Sequence, residues 1–75
     1  MNVTIETGRW ALRYVEKDIV CVNMPESSTV MDAVAAIGLP SDEAGITTIG
    51  GKAVPKDHCL SDGDFLKIYP VIIGG

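Results

Sequence analysis

One helical pattern, running from Thr29 to Gly38, stands alone in a chain otherwise written in short alternating segments. That imbalance restricts the architecture more than any other feature, because one helix then has to cover the apolar face of an entire sheet. The chain has 75 residues, and a domain of this size buries only about 60% of the surface its unfolded chain exposes. Each apolar stripe therefore belongs to one small core, and nothing in the sequence repeats or reads as a linker.

The segments follow a clear order. Asn2 to Glu6 alternates polar and apolar, which sets Val3 and Ile5 on one buried strand face. Arg9 to Glu16 carries the alternating Trp10, Leu12 and Tyr14 among charged residues and reads as a loop or irregular extension. Asp18 to Asn23 is rich in β-branched residues and stops before Pro25, so an N-terminal hairpin is expected. Thr29 and Asp32 then form a capping box, with Val30, Val34 and Ile37 as the buried stripe of a short helix that ends at Gly38 and Pro40. Ile46–Ile49 and Lys52–Val54 flank Gly50-Gly51, a pair suited to the positive φ angles of a two-residue hairpin turn. After the turn signal Ser61-Asp62-Gly63-Asp64, Phe65 to Tyr69 alternates again, and Pro70 is expected to interrupt the ladder. Strand, strand, helix and three further strands make an α+β fold: a mixed β-grasp sheet with one covering helix, comprising residues 1–69, followed by a C-terminal tail of residues 70–75.

Several function classes lose support at this stage. Ten acidic residues against six basic ones, a net charge of −4, oppose binding to nucleic acid and suit a basic surface on a protein partner. No segment approaches the roughly 18 apolar residues of a membrane span, and the N-terminus lacks signal-peptide character, so a cytoplasmic protein with no membrane association is expected. Cys21, Cys59 and the lone His58 are too few ligands for a structural zinc, so no metal is expected. The cysteines read as free, mainly structural thiols, since unpaired cysteine is usually buried. A His58-Cys59 catalytic pair is disfavoured because neighbours in an extended segment point apart. Gly45 to Lys52 departs from a phosphate-binding loop: five residues separate Gly45 from Gly51, and Ala53 stands where Ser or Thr is required.

The end of the chain adds the functional signal. Asp62-Gly63-Asp64, the strand Phe65 to Tyr69 and the terminus Val71-Ile72-Ile73-Gly74-Gly75 together resemble the ubiquitin-like sulfur carriers, the family of the molybdopterin synthase small subunit and the thiamine sulfur carrier. The resemblance implies that the Gly75 carboxylate is adenylated by a ubiquitin-activating-type enzyme using ATP and then converted to a thiocarboxylate. It also implies a sulfurtransferase or cysteine desulfurase as sulfur donor, and molybdopterin synthase large subunit or thiazole synthase as acceptor. On this reading the chain is a carrier, not an enzyme, with no bound cofactor and a monomeric free state. Gly74, Ile73, Ile72 and Val71 would enter a partner's channel, which residues without Cβ fit most easily. Fixing that tail costs backbone entropy, so a docking surface is required, and Phe65, Lys67, Tyr69 and Pro70 are its expected residues.

Two other classes share these features. A ubiquitin-like protein modifier would be joined to target lysines through the same Gly75, and a non-covalent β-grasp interaction domain would function without the two glycines. A ferredoxin reading fails, because a cluster needs four suitable ligands and only two cysteines exist. Tyr69-Pro70-Val71 is similar to the approach to the terminus in molybdopterin synthase small subunits, which favours a molybdopterin or related metal-pterin pathway over thiamine thiazole formation.

Overall fold

A computed structural model describes residues 1–72. β1 (Asn2–Glu6) and β2 (Ile19–Asn23) form an antiparallel hairpin, and α1 (Val30–Ala36) follows. β3 (Ala44–Ile49), β4 (Lys52–Val54) and β5 (Phe65–Pro70) complete a five-stranded sheet in the order β2-β1-β5-β3-β4. β5 lies at its centre, parallel to β1 and antiparallel to β3. This is the β-grasp arrangement.

Local chemistry accounts for the elements. Thr29 accepts from the Asp32 amide, and the Asp32 carboxylate accepts from the Thr29 amide, so two otherwise unpaired first-turn donors are satisfied. Val30, Ala33 and Val34 form the buried face of α1, whereas Ile37, expected on that stripe, is a half-buried cap residue. At seven residues the helix is too short to persist by itself, and burial against Val3, Ile5, Leu66 and Ile68 holds it. Each of these side chains contributes roughly 1.5–3 kcal/mol through removal from water. Gly50 and Gly51 both adopt positive φ, as the tight β3–β4 hairpin requires. The Ser61–Asp64 turn ties the starts of the two central strands together, the Asp64 carbonyl accepting from the Thr4 amide and Asp62 from that of Asn2.

The stretch Arg9 to Glu16 is the irregular connection expected, a 3-10 turn at Arg9–Ala11 turning Ala11 and Val15 inward and leaving Leu12 exposed. Other expectations need correction. β2 starts at Ile19, not Asp18. Both cysteines are free, but both are exposed; Cys21 pairs with Thr4, out of phase with the inward Val20 and Val22. Pro70 does not interrupt the ladder but is the last residue of β5, an end position where a missing N–H is tolerated.

Candidate functional site: the open sheet face and the exit of β5

Helix α1 covers one face of the sheet, and the other face meets solvent. Strand register assigns residues to that open face. Ile19, Glu6, Lys67 and Thr48 form one cross-sheet row, and Cys21, Thr4 and Phe65 form another. On β5, Leu66 and Ile68 are 0% exposed whereas Phe65 is 43% and Tyr69 39% exposed. The expected faces are therefore the observed ones, since a slip of one residue would have exchanged them.

The Lys67 ammonium lies 5.1 Å from the centre of the Tyr69 ring, within cation–π range. Such a pair presents an aromatic surface and a positive charge side by side. From Pro70 at the end of β5, Val71 and Ile72 continue outward, all three exposed, with Ile72 at 84%. Together with Gly45, Ile46 and Tyr69 they line an apolar groove of about 370 Å³. Ile73, Gly74 and Gly75, expected in the reactive tail, lie outside the described residues.

Ile46, which lines this groove, and Ile19, exposed at the β2 end of the row through Glu6 and Lys67, were not singled out in the sequence. A glycine inside an otherwise strand-like run was the available sign of the first: Gly45 marks a β-bulge, where the β3–β5 register shifts between Ala44 and Thr47. For Ile19 no local sign existed, because β2 is apolar on both sides. A separate groove of about 280 Å³ lies between α1 and β2, lined by Val15, Val20, Val22 and Ile37 among others, and shares no residue with the first. His58 and Cys59 are both exposed, and among the described residues no group of three potential ligands could hold a metal ion. Likewise, no described helix is long and apolar enough to cross a membrane.

Comparison with known proteins finds relatives of this fold. A family model described as Mut7-C ubiquitin matches residues 12–73. The chain belongs to that family. The match ends before Gly74 and Gly75. Protein RnfH of Burkholderia mallei (strain NCTC 10229) is 39% identical over 62 residues, covering 73% of this chain and 56% of that protein. The chain spans 27% and 56% of two curated relatives that it matches, so it corresponds to part of their length. Among solved structures, SAMP1 from Haloferax volcanii has a TM-score of 0.75 at 21% identity, with 100% of both chains covered. A protein assigned as molybdopterin converting factor subunit 1 from Pyrococcus furiosus has a TM-score of 0.75 at 19% identity, covering 96% of this chain and 99% of that one. At these identities the structural likeness establishes a shared ubiquitin-like fold.

Proposed function

We propose that this Mut7-C ubiquitin family member is a sulfur carrier. Its Gly75 carboxylate attacks the α-phosphate of ATP held by a ubiquitin-activating-type enzyme, and pyrophosphate leaves. The outer sulfur of a donor enzyme's persulfide then displaces AMP to give an acyl disulfide, and attack of a thiol on the donor's sulfur in that disulfide forms a new disulfide and releases a terminal thiocarboxylate for an acceptor synthase. Adenylation is needed because a free carboxylate has no adequate leaving group. The observation that carries the reading is the path of β5: anchored by the buried Leu66 and Ile68, it continues into the exposed Val71 and Ile72, immediately ahead of Ile73-Gly74-Gly75. In this reading Phe65, Lys67, Tyr69 and Pro70 dock the domain, while Val71 to Gly74 thread the partner's channel.

For the recipient we propose molybdopterin or a related metal-pterin cofactor, from the Tyr69-Pro70-Val71 approach and the fold shared with the Pyrococcus furiosus protein. Intact mass spectrometry of the chain isolated from its native cell tests the carrier reading: an endogenous species heavier by the difference between one sulfur and one oxygen atom is expected. A second reading has its own support, since a structure matching at a TM-score of 0.73 and 19% identity is described as small archaeal modifier protein 1 from H. volcanii. Conjugates linking Gly75 to lysines of other proteins, without any thiocarboxylate species, would replace sulfur carriage with protein modification.

A further inference from the structure

Gly45 has no positive φ, so conformational freedom is not what requires glycine there. A Cβ at this position would lie 2.7 Å from the Pro70 carbonyl carbon and 2.8 Å from the Tyr69 carbonyl oxygen, closer than side-chain atoms approach a backbone. The end of β5 thus crosses directly over the Gly45 backbone. The crossing coincides with the bulge, where three residue steps along β3, from Ala44 to Thr47, oppose two along β5, from Pro70 to Ile68. On the other side β4 ends at Val54, just before Pro55. Continuing the Thr47–Val54 register by two residues sets Lys56 opposite Gly45. There the half-buried Lys56 ammonium donates to the Gly45 carbonyl. Lys56 is itself fixed, its own carbonyl accepting from the Met31 amide in the first turn of α1.

From this we infer that Gly45 and Lys56 aim the tail. The glycine lets β5 leave the sheet over the bulge, and the lysine holds the bulge so that Val71 and Ile72 depart along the groove beside Ile46. Neither residue touches the reacting atoms; both are positioning residues. The inference rests on the tail being the reactive end, and it adds which residues outside the tail set its direction. A charge-assisted hydrogen bond suits this task, because it restrains a bulge without adding bulk beneath the crossing strand.

The test compares the full chain with Lys56→Met and Lys56→Arg. In wild type, nuclear Overhauser contacts from Val71 and Ile72 to Ile46 and Tyr69 are expected, and Lys56→Met should weaken them and lower the order parameters of Val71 and Ile72. In ATP–pyrophosphate exchange with the activating enzyme of the same cell, its KM should rise by about tenfold or more, the scale of losing one charge-assisted hydrogen bond. The kcat should not change, and Lys56→Arg should restore both readouts. Gly45→Ala should produce the larger displacement wherever it folds. A Lys56→Met protein with a lower denaturant midpoint but unaltered tail contacts and KM would overturn the inference, leaving the lysine a purely structural role. Absence of exchange with the wild-type chain would instead count against sulfur carriage, and the tail contacts would still decide the positioning role.

Discussion

Leu66 and Ile68 on one side of β5, and Phe65, Lys67 and Tyr69 on the other, share one backbone and differ in what covers them. The first pair meets α1 and is sealed from water; the second set has no covering element among the described residues and remains partly exposed. Alternation in a central strand therefore gives neighbours in sequence opposite environments, one closed to water and the next open to it. Because β5 also leads to the terminus, the buried face anchors whatever the exposed face and the tail do.

The strongest way to sharpen that contrast lies beyond both faces. Deleting Gly75 should abolish adenylation completely and leave the denaturant midpoint unchanged, since the reactive carboxylate is displaced while no core residue is touched; ATP–pyrophosphate exchange measures it. Normal activation of the truncated chain would end the carrier hypothesis. Next, Leu66→Ala should destabilise the fold by about 2–5 kcal/mol through cavity formation. Phe65→Ala combined with Tyr69→Ala should instead weaken partner binding by about tenfold or more, since truncated aromatic anchors commonly cost above 1 kcal/mol each. Its denaturant midpoint should move less than that of Leu66→Ala. Equal destabilisation by both changes, or normal binding by the double variant, would break the division between the faces.

A smaller effect belongs to the connection before β2. Tyr14 donates to Glu43 at 3.0 Å, and that bond, with desolvation adding, raises the phenol above its ordinary pKa. The folded state then holds this proton more tightly than the unfolded chain does. The contribution is intact below about pH 10, the ordinary value, and is lost as pH rises through the raised one. Tyr14→Phe should flatten the part of the alkaline stability profile that depends on this bond, measured as denaturant midpoints across that range. The smallest effect concerns the two thiols: Cys21→Ser with Cys59→Ser should leave both stability and sulfur transfer nearly unchanged, because both thiols are exposed and the proposed sulfur sits on the terminal carboxylate. Loss of thiocarboxylate formation by the folded double variant would give the cysteines a role in the chemistry.

Much of this molecule is written locally. The Thr29–Asp32 capping box, the Gly50-Gly51 turn and the alternation of β5 depend on contacts within a few residues, and each was readable before any fold was known. The element order needed only the contrast between periods of two and near four. Other features were not local in origin. Trp10, Leu12 and Tyr14 alternate as a strand would, yet a 3-10 turn gives the core Ala11 and Val15 instead. Cys21 looked buried by residue type and is exposed by its register against Thr4.

The tail marks the same boundary. Its composition, two glycines behind an apolar stretch, is a property of the sequence alone and directs attention to Gly75. Which way the chain leaves the sheet depends on Gly45 beneath Pro70 and on Lys56 beside Gly45, residues brought to the end of β5 from 25 and 14 positions away. Patterns of a few residues can encode a turn, a cap or a strand face, because those obey nearest-neighbour sterics and hydrogen bonding. A close backbone crossing and a lysine that donates to the carbonyl of the bulged Gly45 exist only once three strands have been assembled, so only the tertiary structure decided them.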